Sequence, residues 1–149
     1  MKRNDFSQWD CALARTVDVI GDWWTPLILR DAARGVTTFD DFHLSLGISR
    51  NTLTQRLNGL VDHGVLAKTL YSERPKRYRY ALTEQGAELV PVLMAMAAWG
   101  QKWLQDVSPP FRVRHKRCGH EATAMVVCAC CGEPLALSDL EPMPKGESA

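Results

Sequence analysis

The sequence predicts a mainly α-helical chain carrying one β-hairpin, followed by a small cysteine-rich β module. Three observations carry that prediction. Apolar residues recur at helical spacing from Asp10 to Gly64 and again from Thr83 to Leu104. Between these regions the period falls to two over VLAKTLY and RYRYALT, as it does in strands. Four of the five cysteines and two of the four histidines crowd into RHKRCGHEATAMVVCACCGEPL, residues 114 to 135.

The elements follow in order. Leu13, Val17 and Ile20 make the apolar stripe of a first helix, for which Asp10 is the expected N-cap and Gly21 the stop. Thr25-Pro26 suits the start of a second helix, because proline fits a first turn whose N–H groups lack partners; it runs through Leu27, Ile28 and Ala32 to Gly35. Thr38 with Asp41 resembles a capping box for a short third helix carrying Phe39, Phe42 and Leu46, closed by Gly47. GISRNTLTQRLNGLVDHG then reads as a tight turn and a helix over about 49–63 capped by Ser49. Leu53, Leu57, Leu60 and Val61 form its inner face, with Arg50, Asn51, Thr54, Gln55 and Asn58 outside. A short helix, a glycine turn and a second helix with a polar outer face is the helix-turn-helix pattern.

The strand pair after Gly64 is joined by SERPK. From Leu66 to Tyr80 it carries Lys68, Arg74, Lys76, Arg77 and Arg79 against Glu73 alone. Such a basic ribbon suits a DNA backbone, since neutralised phosphates release counterions. Thr83 opens a long helix to Leu104 whose stripe of Leu89, Val92, Leu93, Met96, Trp99 and Trp103 is widened by Val90, Met94 and Ala97 beyond what one partner surface needs. Pro91 is placed to kink it. Trp23, Trp24, Trp99, Trp103 and Met96 are aromatic and soft enough to line an effector pocket, but at this spacing they are expected in the core. No internal repeat is evident.

Bulk properties set the class. At 149 residues with 46% hydrophobic side chains, the chain has enough apolar surface for a core. A net charge of +1 gives no general attraction to nucleic acid or membrane, so the local clusters must carry any electrostatic role. The longest apolar run, LVPVLMAMAAWG, is too short to span a bilayer, and MKRNDFSQWD lacks a secretory h-region. A reducing cytoplasm is the expected setting, in which clustered cysteines bind metal or undergo redox change more often than they form structural disulfides.

With these elements in place, CALARTVDVIGDWWTPLILRDAARGVTTFDDF, GISRNTLTQRLNGLVDHGVL and YALTEQGAELVPVLMAMAAWG resemble, in the same order, the HxlR family of bacterial winged helix-turn-helix transcription regulators, relatives of the MarR group. The resemblance covers roughly residues 9 to 104. It implies a homodimer joined through the first and last helices, with one recognition helix per subunit in the major groove of double-stranded DNA and the wings on flanking backbone. Its recognition pattern maps onto Ser49, Arg50, Asn51, Thr54, Gln55 and Arg56. Its wing, over about 71–79, maps onto Arg74, Lys76, Arg77 and Arg79. Side chains of these types read base edges or hold phosphates: Arg suits guanine and Asn or Gln suits adenine. Two positions depart from the family pattern. Trp23 replaces a charged residue and adds apolar surface, and His43-Leu44 replaces a more basic stretch. Cys11 falls on a cysteine that serves as a redox switch in some members; as a small apolar residue on the first helix it is expected to be buried.

The tail remains. His115-x-x-Cys118-Gly119 and Cys128-x-x-Cys131-Gly132 read as two knuckles whose four donors suit one tetrahedral zinc, with glycine where the backbone must turn. FRVR, ATAMVV and PLAL read as short strands, so a zinc-ribbon-like module held by a structural metal is expected, with His120 and Cys130 spare. Four protein ligands leave no open position for chemistry, and no enzyme is expected. The expected organisation is a winged-helix domain over 1–107, the ribbon over 108–141 and a frayed end over 142–149, with Ser108-Pro109-Pro110 as the break. Two further classes stay open: a thiol redox or metal sensor using Cys11 or the tail cysteines, and an interaction adaptor without DNA binding.

Overall fold

The computed structural model describes residues 6–108 and 112–143. It is mainly helical with one two-stranded antiparallel hairpin, in the order α1 (Ala12–Ile20), α2 (Thr25–Ala33), α3 (Phe39–Leu46), α4 (Arg50–Asp62), β1 (Leu66–Glu73), β2 (Lys76–Leu82) and α5 (Glu84–Trp103). No helix among the described residues is long and apolar enough to cross a membrane.

Most helix ends fall where their capping chemistry puts them. The Thr38 hydroxyl accepts the Asp41 N–H at 3.3 Å and donates to its carboxylate at 2.6 Å. Ser49 accepts the Thr52 N–H at 3.1 Å. Gly47 ends α3 at φ 64°, in the left-handed region that a side chain disfavours. The first helix differs from expectation. Cys11, not Asp10, is its N-cap: Cys11 takes the extended conformation there, and its Sγ accepts the Ala14 N–H at 3.5 Å. Cys11 is therefore exposed, which corrects its expected burial.

Ile28, Leu29, Phe42, Leu53, Leu57 and Val65 are wholly buried and Leu66 nearly so, and α2, α3, α4 and the start of β1 share one core. Each such side chain contributes roughly 1.5–3 kcal/mol by leaving water. Within it lies Asp31, whose charge the apolar pattern had not marked. It is fully buried but neutralised by Arg30 at 2.7 Å, and it accepts the Ser45 hydroxyl at 2.7 Å, tying α2 to α3. Removing either partner would leave part of a buried charge unmet.

The hairpin pairs Leu66 with Leu82 through Glu73 with Lys76, and a bulge leaves Tyr71 unpaired between Leu70 and Ser72. Tyr78, Tyr80 and Leu82 turn inward while Arg77, Arg79 and Ala81 turn out, the alternation of a strand with one covered face. The segment before α3 adds a rung at its edge, where the Tyr80 N–H donates to Thr37 at 2.7 Å. At the next joint the Thr83 hydroxyl donates to the Gly64 carbonyl at 2.6 Å and accepts the Gly86 N–H at 3.1 Å. A Cβ on Gly86 would sit 2.1 Å from the Val65 carbonyl oxygen, so only glycine lets α5 approach β1 this closely.

Two compact units divide between Leu93 and Met94, inside α5. The first turns of α5 belong to the body because Leu89 and Leu93 pack on its core. Further along, Met96, Trp99 and Trp103 are 54%, 61% and 63% exposed, and Trp23 on the body is 87% exposed. These four are not core residues; only Trp24 of the five packs against it.

In the second unit the expected strands shrink to two bridges, Arg114 with Glu121 and Val127 with Pro134, and a 3-10 turn at Leu137–Asp139. Between 112 and 143 no residue is buried. Pro109, Pro110 and Phe111, from the expected break and first strand, lie outside the described residues, as do 144–149 of the expected frayed end.

Candidate functional site

The helix-turn-helix is α3, the turn Gly47-Ile48-Ser49 and α4. Buried Ile48 anchors that turn, while Leu53, Leu57 and Leu60 hold the inner face of α4 against the core. The outer face is thereby fixed. Ser49, Arg50, Asn51, Thr54, Gln55 and Asn58 are all exposed on it.

Their freedom differs. Ser49 is occupied as the helix cap, and Thr54 donates to the Arg50 carbonyl at 2.8 Å. Arg50 lies 4.7 Å over the Phe39 ring and pairs with Asp40 at 3.0 Å, with both partners well exposed. An exposed pair of this kind is held by at most about 1 kcal/mol, so a phosphate could take the guanidinium over. Asn51, Gln55 and Asn58 have no hydrogen-bond partner among the described residues, leaving their amides open to a base edge.

Arg56 departs from its expected role. Its buried Nε lies 3.3 Å from Asp22 Oδ1, an ion pair without hydrogen-bond geometry, and the side chain is 28% exposed. Asp22 in turn accepts the N–H groups of Trp24 and Thr25, at 2.8 and 3.0 Å, and the Thr25 hydroxyl. Arg56 therefore braces the start of α2 instead of standing on the outer face. The reason is helical geometry: Arg56 neighbours Leu53 and Leu60 on the inward side, three and four residues away.

The wing cations also divide. Arg79 lies 4.9 Å over Tyr71, the bulged residue, and Lys68 lies 4.4 Å over Tyr78. Arg74, Lys76 and Arg77, at and beside the hairpin tip, have no ion pair or ring contact among the described residues. Burial, with Tyr78 beside it, pushes the Tyr80 phenol up from its ordinary pKa, so it stays neutral. Arg50, Lys76, Arg77, Tyr71 and Thr38 line one groove of about 300 Å³ between the wing and the helix-turn-helix. Sequence reasoning had not singled out Tyr71 or Asp40 there; the bulge and the fold-back of Arg50 are tertiary features.

In the tail, His115 Nδ1 and Cys118 Sγ lie 3.3 Å apart, and Arg112 grips Glu121 through two hydrogen bonds of 2.8 and 2.6 Å. The Arg112 hydrogen bonds hold the Glu121 carboxyl below its usual range. Backbone hydrogen bonds from Cys131, then Cys130, lower the Cys128 thiol pKa. The four expected ligands form two pairs but do not meet: among the described residues no group of three or more His, Cys, Asp or Glu converges as a metal site.

A family profile described as HxlR-like helix-turn-helix matches residues 19–108. The chain belongs to this family. Among curated proteins this HxlR-like chain is similar to an uncharacterized HTH-type transcriptional regulator of Mycobacterium tuberculosis, 37% identical over 134 residues, 89% of this chain and 85% of the relative. Among solved structures it is similar to PA1607, described as a candidate transcription factor. That match has 38% identity and a TM-score of 0.79 and covers 93% of this chain and 97% of that one. The redox regulator HypR in its reduced form matches at 29% identity and a TM-score of 0.58, covering 62% of this chain and 92% of HypR. The PA1607 likeness is longer than residues 1–108, so it extends into the tail; the HypR likeness is not. The HxlR-like protein is thus a transcription regulator built on a DNA-binding helix-turn-helix fold, and its relatives are named as regulators, not as enzymes.

Proposed function

We propose that the protein is a homodimeric, sequence-specific DNA-binding regulator in which α4 enters the major groove and the wing tip holds flanking phosphates. The carrying observation is the shared groove: Arg50 at the start of α4 and Lys76 and Arg77 near the wing tip line one concavity. A recognition helix and its backbone clamp must face the same duplex, and this arrangement meets that requirement. Asn51 and Gln55 are the base readers of this reading, with Arg50, Arg74, Lys76 and Arg77 as phosphate contacts. Arg79, stacked on Tyr71, stiffens the wing.

The apolar residues left uncovered on α5 support the dimer. Val92, Met96, Trp99 and Trp103 recur at intervals of four, three and four and are all exposed, which is the spacing of a helix-pairing seam. Leu13 and Val17 on α1 are likewise 73% and 44% exposed, although α1 buries no residue. Two twofold-related recognition helices enter successive major grooves, so selection from a random DNA pool should return inverted repeats with half-site centres about one helical turn apart. Selected sites without inverted symmetry would overturn the dimeric reading, and failure to bind any DNA at low salt would leave the adaptor reading.

A second reading adds thiol control. Cys11 is exposed at the N-cap of α1, and the HypR likeness is to a redox regulator. Mobility shift with and without a mild oxidant, on the natural chain and on Cys11→Ser, tests it. An oxidant response that Cys11→Ser retains excludes Cys11.

A further inference from the structure

The two knuckles of the tail belong to a structural repeat of thirteen residues that extends beyond their ligand and glycine positions. Every backbone hydrogen bond of the first turn recurs in the second. The His115 N–H donates to the His120 carbonyl at 2.8 Å, and the Cys128 N–H to Glu133 at 2.8 Å. Gly119 donates back to His115 and Gly132 back to Cys128, each at 2.8 Å. The outer rungs follow, Ala122 to Val113 at 2.8 Å and Leu135 to Val126 at 3.1 Å. The bridges Arg114 with Glu121 and Val127 with Pro134 keep the same offset, and Gly119 and Gly132 share a φ of 76°.

Superposed in this register, His115 falls on Cys128 and Cys118 on Cys131, so metal-ligating residues occupy the first and fourth positions of both turns. Cys130 falls on Arg117, and His120 on Glu133. The first of these pairings has a cation where a metal would need a donor. The repeat therefore separates ligands from spare residues by position in a turn, independently of how the cysteines are spaced.

We propose that the two turns together hold one structural zinc ion, His115 and Cys118 from the first and Cys128 and Cys131 from the second. Two thiolates in one turn, with a thiolate and an imidazole in the other, match the donor preference of zinc in a closed tetrahedral site. His115 Nδ1 and Cys118 Sγ already sit 3.3 Å apart, close enough to share an ion. The glycine after each second ligand takes a left-handed φ of 76°, a conformation that L side chains rarely adopt, so the same backbone turn follows each donor pair. Each half is preformed by its own hydrogen bonds, and the metal is what draws the halves together. That also answers how a unit with no buried residue between 112 and 143 holds its shape, since a structural metal supplies what a core would otherwise provide. Four protein ligands leave the ion no open position, so the site stabilises and does not catalyse.

The test uses the full-length reduced protein purified without chelator. Elemental analysis should find one zinc per chain, and replacement by cobalt(II) should give the thiolate-to-cobalt charge-transfer bands and the d–d absorption of a tetrahedral site. Cys118→Ser and Cys128→Ser, one from each turn, should each abolish the tetrahedral spectrum, because half a site cannot hold the ion. Cys130→Ser should retain stoichiometric metal. Absence of metal uptake by the unaltered protein, retention of the tetrahedral spectrum when one turn is disabled, or loss of metal in Cys130→Ser would each overturn the proposal. The unaltered protein's cobalt spectrum decides the case even if a variant fails to fold, and none of these readouts depends on DNA.

Discussion

The body and the tail solve the same problem by opposite means. In the body, ten apolar residues from Ile28 to Tyr80 are buried and the helix caps and turns serve that packing. In the tail the large apolar residues stay in water: Met125, Leu137 and Leu140 are 69%, 88% and 55% exposed, and regularity resides in two hydrogen-bonded turns. The difference shows what each part can withstand. A packed core spreads its stability over many side chains, so a surface change in the body touches recognition without touching the fold. A unit held by turns alone depends on the few atoms that join them.

The largest expected effect is a change that breaks the body and spares the tail. Phe42, on α3, is wholly buried in the core. Phe42→Ala should cost about 3–5 kcal/mol through lost burial and the cavity left behind. Denaturant unfolding followed by intrinsic fluorescence should show that loss, while uptake of the metal proposed for the tail stays as in the parent. Metal lost in parallel would mean that the two parts do not stand independently.

Next comes a change that should leave both folds intact. Gln55 is exposed on α4 with its amide unpaired among the described residues. Gln55→Ala should lose roughly 1–3 kcal/mol at one base position of the selected site and little at the others, if its amide grips an adenine edge. Measured against single-base variants of the site, a uniform loss or none at all removes Gln55 as a reader. Thermal stability should be unchanged, which is the contrast with Phe42→Ala.

How far the sequence revealed each region follows from the same contrast. In the body, caps and apolar periods are local features, so Thr38, Ser49, Gly47 and the inner leucines of α4 could be placed from their neighbours alone. Asp31 could not, because its partner Ser45 lies on another helix and a buried carboxylate has no periodic signature. Arg56 is a candidate by residue type and not by helical period, and its pair with Asp22 on a distant turn has no local signature. Cys11 looked apolar by type, yet α1 buries no residue in the single chain. In the tail the two knuckles were visible while the extent of the thirteen-residue repeat was not, since RHKRCGHE and VCACCGEP share little beyond Cys-Gly. The repeat is carried by backbone bonds, to which many side chains are indifferent.

A smaller effect distinguishes the unpartnered wing cations from the stacked ones. Arg77 is free of ion pairs and ring contacts among the described residues, whereas Arg79 stacks on Tyr71. Arg77→Ala should weaken all DNA sequences alike and lower the slope of log affinity against log salt by about one, as loss of one phosphate contact does. An unchanged slope would take the wing tip off the duplex.

The smallest expected effect on stability belongs to Asp40. Its pair with Arg50 at 3.0 Å is exposed on both sides, so Asp40→Asn should change stability by less than about 1 kcal/mol. DNA binding should respond more, and in the direction of gain. Asp40 lines the groove shared by Arg50, Lys76 and Arg77, where its carboxylate both occupies a guanidinium and repels phosphate. Removing that charge releases Arg50 for the backbone and should raise affinity most at low salt, with the gain shrinking as salt screens the groove. Titration of Asp40→Asn and the parent at several salt concentrations would show this as a steeper salt slope for the variant. A fall in affinity instead would mean that Asp40 positions Arg50 for its phosphate, and the pair would then be part of the recognition surface instead of a brake on it.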